Sequence, residues 1–300
     1  MAQFGKAQGK GEGNMQKKYF WEHFMKGIFI ASASISVISI IVIFYFIFEG
    51  GVPFMLDYGI GKFLFGSVWT PSNSTPQYGI LPMIVGSIVI TIGAIIIGVP
   101  TGVFTSVFMA RFCPPKLYKF LKPAINMMAA IPSIVYGFFA LRVVVPLMKS
   151  WVGGTGMNIL TASILLGIMV LPTIIGMSEA SLRAVPKSYY EGSVALGATH
   201  ERSVLRVVVP AAKSGIISAV ILGVGRAIGE TMAVILVAGN QPRIPSSLTQ
   251  GVRTMTTNIV LEMAYAAGQH REALIATAVV LFIFIIIING AFSIVKRKGI

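Results

Sequence analysis

The stretch that decides the fold runs from Ser188 to Asn240. It opens as Tyr189-Tyr190-Glu191-Gly192-Ser193-Val194-Ala195-Leu196-Gly197-Ala198-Thr199, ends that polar loop at Val207-Val208-Val209-Pro210, and becomes an apolar run carrying Gly225-Arg226-Ala227-Ile228-Gly229-Glu230-Thr231-Met232. A loop suited to water leads directly into an apolar helix that holds two ions. Read as one helix, the run places Arg226 about 24 Å beyond Pro210 at about 1.5 Å per residue. That is near the middle of a span, where insertion scales charge an arginine about 2.5–3.5 kcal/mol. Glu230, four residues on, shares its face. The plainer reading is an intrahelical ion pair that eases insertion. A buried ion pair is rarely a net stabiliser, so its position favours function: a cation that touches a passing anion. Gly223, Gly225 and Gly229 are expected to let helices approach closely.

Composition sets the class. The chain has 300 residues, 55% hydrophobic and 11% charged, with a formal net charge of +14 and a mean hydropathy of +0.81. Soluble domains carry about 25% charged residues, and several apolar runs here reach the about 20 residues needed to cross hydrocarbon. The expected fold is an all-α membrane protein with six transmembrane helices: Ile28–Phe48, Ile80–Met109, Ala124–Leu147, Ile159–Met177, Ala211–Ala238 and Ala273–Val295. The first apolar run is too long for a signal-peptide core and lacks its cleavage site. Residues 1–27, rich in Gly, Gln and Lys, read as a disordered basic cytosolic tail, and 28–300 as the six-helix transmembrane domain. Within it, 50–79 and 239–271 read as extracytoplasmic loops and 179–210 as a cytosolic loop. Pro132 and Pro146 predict a kink or break in the third span. Trp69 and the tyrosines near it suit a membrane interface.

The charges are placed by topology. With both termini cytosolic, the inner segments hold 17 of the 24 Lys and Arg and the outer segments five, while Arg142 and Arg226 lie within spans. That asymmetry satisfies the positive-inside rule and makes nucleic-acid binding unnecessary as an explanation of the basic balance. The single cysteine, Cys113, allows no intrachain disulfide. His23, His200 and His270 fall in different loops, so no metal site is expected. Arg142, near the outer end of the third span, reads either as snorkelling to the surface or as a second cation on the path of Arg226. Guanidinium forks suit tetrahedral oxyanions such as phosphate or sulfate.

The cytosolic loop predicts a short helix with Glu191 near its start, a sharp turn at Gly197, a second helical piece, and Pro210 opening a membrane helix. Val194, Ala195 and Ala198 offer a small apolar face for a partner. The spacing resembles the Glu-Ala-Ala, three residues, Gly, nine residues, Ile-x-Leu-Pro pattern of importer-type ABC-transporter permeases. Glu191, Gly197 and Pro210 match in place, Val207 and Val209 substitute for Ile and Leu, and Gly192 and Ser193 depart from Ala-Ala. With Phe63–Pro71, Tyr78–Pro82, Ile131–Gly137 and Gly225–Val234, the chain resembles the phosphate-specific permease, more the C-type than the A-type paralogue.

The resemblance implies a type I ABC importer permease fold and a phosphate pathway that includes Arg226 and Glu230. Arg142 falls outside any family motif. It also implies coupling through Glu191, Gly192, Ser193, Ala195, Gly197 and Pro210 to a cytosolic ATPase dimer, with a second permease subunit and an extracytoplasmic phosphate-binding protein as further partners. No cofactor is expected on this chain; ATP and Mg²⁺ belong to the ATPase, consistent with the lack of a Gly-x-x-x-x-Gly-Lys-Ser/Thr loop here. The chain is therefore expected to be no enzyme itself. The rivals are a permease for sulfate, molybdate or phosphonate, a stand-alone anion channel, and an intramembrane enzyme. The last would need paired catalytic groups, and the spans offer only Arg142, Arg226 and Glu230.

Overall fold

The computed structural model describes the backbone of residues 4–298, most of it helical. Residues 1–50 and 51–300 form two compact units. In the first, helix α1 (Phe4–Tyr58) begins at Phe4, so residues 4–27 are helical where disorder was expected. Lys, Gln, Met, Glu and Ala are good helix formers, and the stretch holds no proline to stop them. Over Ile28–Phe48 the side chains are mostly exposed on every side, which is the surface a lipid-facing span presents.

The second unit opens with the end of α1, α2 (Ile60–Phe65), and a small antiparallel hairpin, β1 (Trp69–Thr70) and β2 (Gln77–Tyr78), in which Trp69 faces Tyr78. The expected outer loop is thus a folded cap. Phe54 stacks on Tyr58 and meets Phe63 and Tyr78 edge-on at 5.4–5.7 Å between ring centres. Trp69 is only 4% exposed, so it is a core residue rather than an interfacial anchor. Its indole N–H has a partner, as a buried indole requires: it donates to Glu262 Oε2 at 2.9 Å.

The core is built on α3 (Leu81–Val107), α7 (Ile159–Ala184) and α11 (Lys213–Gly229). Ile90, Ala94, Leu165, Leu166 and Met169 are buried between α3 and α7. Gly223 brings α11 against α7, for a Cβ there would lie 2.8 Å from Cγ1 of Ile174. Gly225 and Gly229 do not serve close helix approach: a Cβ on either would meet nothing within 4 Å. They leave space rather than close it.

Among the described residues, five helices are long and apolar enough to cross a membrane: Trp21–Tyr58, Leu81–Phe112, Ser133–Val152, Ile159–Ala184 and Gln269–Ala291. A bent pair, His200–Ala211 with Lys213–Gly229, makes a sixth if counted as one span. The third span therefore starts later than expected. Helix α4 (Pro115–Ala130) is a separate piece, packed through Ile125, Leu121 and Tyr118 on Met109 and Ile175. Ile131 before Pro132 is extended, at φ −69° and ψ 127°, because proline disfavours the α conformation in the residue before it. Helix α5 (Ser133–Phe139) follows, then a π-helical turn, Ala140–Val144, and α6 (Val145–Val152). So Pro132 breaks the chain, whereas Pro146 sits in the first turn of α6, where a missing N–H costs little.

Two glycines two positions apart on α11 should respond oppositely. Gly223→Ala drives a methyl into Ile174 and is expected to destabilise by about 1–3 kcal/mol. Gly225→Ala meets open space and is expected to be neutral or stabilising by up to about 1 kcal/mol. Thermal unfolding of the two purified variants checks this.

Candidate functional site

The helix expected over Ala211–Ala238 is interrupted twice, and the interruptions place the two ions. Helix α8 (Lys187–Ala195) is followed by α9 (His200–Ser203), a π-helical turn (Val204–Val208) and α10 (Val209–Ala211). The chain then bends by 68° before α11. The bend falls at Ala212, whose backbone leaves the helical range at φ −88° and ψ 1°, two residues after Pro210. Pro210 does not open the long helix; Lys213 does. Arg226 is consequently in the last turn of α11, where the helix dipole favours a cation.

Glu230 ends α11. Its backbone is extended, at φ −69° and ψ 127°, so Arg226 and Glu230 are not one turn apart on a continuous helix. The Glu230 carboxylate turns to the next helix, α12 (Met232–Val237), and its Oε1 accepts from the N–H of Ala233 at 3.2 Å. The groups freed by the break are taken up by hydroxyls. Thr231 Oγ1 donates to the Gly229 carbonyl at 3.2 Å, and Thr256 Oγ1 donates to the Glu230 carbonyl at 3.3 Å. Broken membrane helices survive when side chains satisfy the freed backbone in this way.

Arg226 faces a cavity of about 650 Å³. Thr173 and Met177 of α7, Ser218 and Gly225 of α11, and Asn289 of α14 (Gln269–Lys298) line it with the guanidinium. Arg226 donates from one terminal nitrogen to Thr173 Oγ1 at 3.3 Å. Among the described residues no carboxylate lies within ion-pair distance of Arg226, and Glu230 does not line the cavity. The wall thus combines one cation with neutral hydroxyls and an amide, a donor set that attracts an anion and offers no competing negative charge. Arg142 stands apart. It lies on the π-helical turn, exposed, with its guanidinium carbon 5.7 Å from the centre of the Phe138 ring, and it does not line this cavity.

The water-facing segment has the expected parts with shifted boundaries. Helix α8 starts at Lys187 after Pro186, so Glu191 lies mid-helix rather than at its start. Gly197 has φ +85°, a left-handed position that ends the helix and that glycine takes without strain. Tyr189, Glu191, Gly192, Val194, Ala195 and Leu196 are exposed, Leu196 at 91%. Ser193, at a position where the resembled pattern has alanine, is held: Ser203 Oγ donates to its Oγ at 3.0 Å.

Two clusters were not singled out from sequence. Glu179 on α7, 1% exposed, accepts from Tyr118 (2.7 Å), Lys122 (2.7 Å) and Arg183 (2.8 Å). Arg183 lies 4.5 Å over the Tyr118 ring, so α4 is clamped to α7. Glu262, at the end of α13 (Met255–Glu262), bonds Arg253, Trp69 and His270. Arg253 also donates to the Asn240 carbonyl at 3.1 Å. The hairpin, α13, α14 and the segment after α12 therefore share one carboxylate. The available signal was an acidic residue amid an apolar run, Ser178-Glu179-Ala180. Of its three partners, Arg183 is one turn away, but Tyr118 and Lys122 lie 61 and 57 residues back, which spacing alone does not reveal.

Membrane-crossing helices around a cationic, carboxylate-free cavity, with an exposed helix beneath them, define a membrane permease. The chain belongs to a particular family of these: residues 102–298 match the binding-protein-dependent transport system inner membrane component family. It is thus a multi-pass membrane protein and the permease component of an ABC importer. It is 37% identical over 280 residues to a probable ABC transporter permease protein, YqgH, of Bacillus subtilis, covering 90% of each chain. It is 32% identical over 263 residues to the phosphate transport system permease protein PstC of Mesorhizobium japonicum, covering 81% of this chain and 80% of that one. Its fold is like that of a chain of the MetNI methionine ABC transporter in an inward-facing conformation, with a TM-score of 0.61 at 21% identity over 74% of this chain and 96% of that chain. A chain of a bacterial alginate ABC transporter is similar at a TM-score of 0.56 and 12% identity, over 73% and 78% of the two chains. The expected type I importer permease fold is the one observed.

The Tyr118 phenol is pushed above its usual range, first by the hydrogen bond it donates to Glu179 and then by burial. A folded-state value above the unfolded one stabilises fully below the unfolded value, about 10, and is lost as pH rises through the folded value. Tyr118→Phe is expected to cost about 1–3 kcal/mol at pH 7, as for a hydrogen bond to a charged group. The gap from the unsubstituted protein should close only above about pH 10. Denaturation of both proteins across pH 7–11 measures it.

Proposed function

We propose that this chain is the membrane path of an ATP-driven importer of inorganic phosphate. One observation carries the reading: Arg226 faces a cavity whose other polar groups are neutral, with no carboxylate among the described residues paired to it. A tetrahedral oxyanion entering there exchanges water for the guanidinium fork and the hydroxyls of Thr173 and Ser218. Weak, partial coordination suits a path, because the ion must also leave. Relatives named as phosphate transport permeases support phosphate among the oxyanions. The 37% identical relative is named only as a probable ABC transporter permease, which keeps sulfate, molybdate or phosphonate as the second reading.

The partners follow from this reading. A cytosolic ATPase dimer binds the exposed face of α8 around Glu191, Gly192 and Ala195, with Gly197 and Pro210 shaping the segment and Ser193 holding it to α9. A second permease subunit completes the path, and an extracytoplasmic binding protein delivers phosphate. ATP and Mg²⁺ sit on the ATPase, and this chain carries no cofactor. Both termini are cytosolic, in line with the Lys and Arg asymmetry. Glu230 has two roles: its carboxylate caps α12, and its charge tempers the field of Arg226 at the end of the path. Arg142 is assigned no contact with the ion.

Uptake of radiolabelled phosphate by the reconstituted complex tests the reading. Arsenate should compete and sulfate should not; competition by sulfate in place of arsenate would shift the assignment to another oxyanion. Arg226→Gln removes a charge-assisted contact of about 1.5–3 kcal/mol, so import should fall about tenfold or more while the ATPase still co-purifies. Glu230→Gln keeps an oxygen for the Ala233 N–H and removes only the charge. It should lower import without lowering stability, whereas Glu230→Ala should also cost about 1 kcal/mol of stability through the lost cap. Flux through this chain alone, without ATP, would make it a channel instead.

A further inference from the structure

Helix α8 buries none of its side chains completely, so what holds it to the rest of the chain is short to state. Tyr190 packs half-buried beside Val107, Leu182, Val185, Val204 and Val208. Two side-chain hydrogen bonds add to this: Tyr190 to His200 Nδ1 at 2.8 Å, and Ser203 to Ser193 at 3.0 Å. Both end on α9. From α9 the connection continues, because His200 Nε2 lies 3.2 Å from the carbonyl oxygen of Arg111, and the edge of Phe112 meets the imidazole at 4.9 Å between ring centres.

Arg111 lies in the π-helical turn Phe108–Phe112 that ends α3. There α3 and α7 are fastened by two arginines in opposite directions. Arg111 donates to the Leu182 carbonyl at 2.6 Å, and Arg183 donates to the Met109 carbonyl at 3.0 Å. Carbonyls at helix ends lack helical partners, and cations are favoured beside them. The same α7 carries Thr173, nine residues before Leu182 and so about 14 Å along the axis, at the wall of the Arg226 cavity.

We propose that Tyr190 and His200 form the joint through which the segment around Glu191 moves the α3–α7 pair, and that Arg111 and Arg183 are positioning residues that make the pair respond as one body. This rests on the reading that an ATPase binds that segment. The chemistry of the joint fixes its protons. A carbonyl only accepts, so Nε2 carries the hydrogen; in the neutral ring Nδ1 then accepts, and the Tyr190 hydroxyl donates to it. Protonating Nδ1 reverses that bond, since a phenol oxygen also accepts, and leaves the Nε2 bond in place. The joint therefore persists in either charge state of the ring.

The test uses the assembled complex with Cys113→Ser and a Ser218→Cys reporter in the cavity wall, read as the rate of thiol labelling with and without a non-hydrolysable ATP analogue. No phosphate is present, so a wrong choice of oxyanion leaves this result standing, and loss of the joint leaves the choice of oxyanion standing. The nucleotide-dependent change in labelling should shrink about fivefold in Tyr190→Phe, the scale of one neutral hydrogen bond. It should shrink at least as much in His200→Phe, with the ATPase still co-purifying. His200→Gln, whose amide can donate to Arg111 and accept from Tyr190, should recover most of it. An undiminished change in Tyr190→Phe and His200→Phe would overturn the proposal. So would loss of the ATPase from those complexes, which would make the two residues part of the docking surface instead.

Discussion

The guanidinium of Arg226 is set among apolar helices without a carboxylate beside it, and much of the local structure serves that placement. Three features offset its isolation. It lies in the last turn of α11, where carbonyls without helical partners create a negative end. It donates to Thr173. Its remaining donors face open cavity rather than packed side chains. The first depends on α11 ending where it does. A helix continuing through Glu230 would remove the exposed carbonyl end and bring a carboxylate to the same face.

Ending a helix inside an apolar bundle frees polar backbone groups, and each unsatisfied group there costs several kcal/mol. The residues around the break answer that cost locally. Glu230 takes the Ala233 N–H, Thr231 bonds the Gly229 carbonyl, and Thr256 reaches across from α13 to the Glu230 carbonyl. Thr256 stands next to the capping box of α13, in which Thr254 and Thr257 exchange bonds. The same small helix ends in Glu262, where Arg253, His270 and Trp69 meet. The interruption beside the cavity is thereby tied to the folded cap that holds the hairpin, and the cap depends on a buried indole that composition alone assigned to the membrane surface.

The helices themselves were legible because hydrophobic length is a strong signal: the spans over Leu81–Phe112, Ile159–Ala184 and Gln269–Ala291 lie close to the apolar runs that announce them. Pro132 announced its break, and Gly197 its turn, because the backbone chemistry of those residues is local. The interruptions of the Arg226 helix were not legible. Nothing within Ile228-Gly229-Glu230-Thr231 forbids a continuing helix; the extended Glu230 is supported by Thr256, a residue far along the chain. The same reason hid the clamp at Glu179, whose partners Tyr118 and Lys122 lie about 60 residues away in sequence. The spacing around Glu191 was readable as a segment, but its attachment through His200 to Arg111 joins positions 89 residues apart.

The buried carboxylates bear on the path through their pairing. The chain has only 10 acidic residues against 24 Lys and Arg, and Glu179 lies six positions after Thr173 on the same helix. Left bare, its charge would oppose that of Arg226 across α7. It is matched instead by Lys122 and Arg183, two cations on one carboxylate. Glu262 is likewise matched by Arg253. Glu230, turned toward α12, is the acidic group nearest in sequence to Arg226 and has no basic partner within ion-pair distance among the described residues. Among the described residues that line the cavity, Arg226 is thus the one charged group, and the proposed tempering of its field falls to the carboxylate at the end of its own helix. In the proposed importer, an anion drawn inward by the first would meet the second only where α11 stops, which is where a path needs its attraction to weaken.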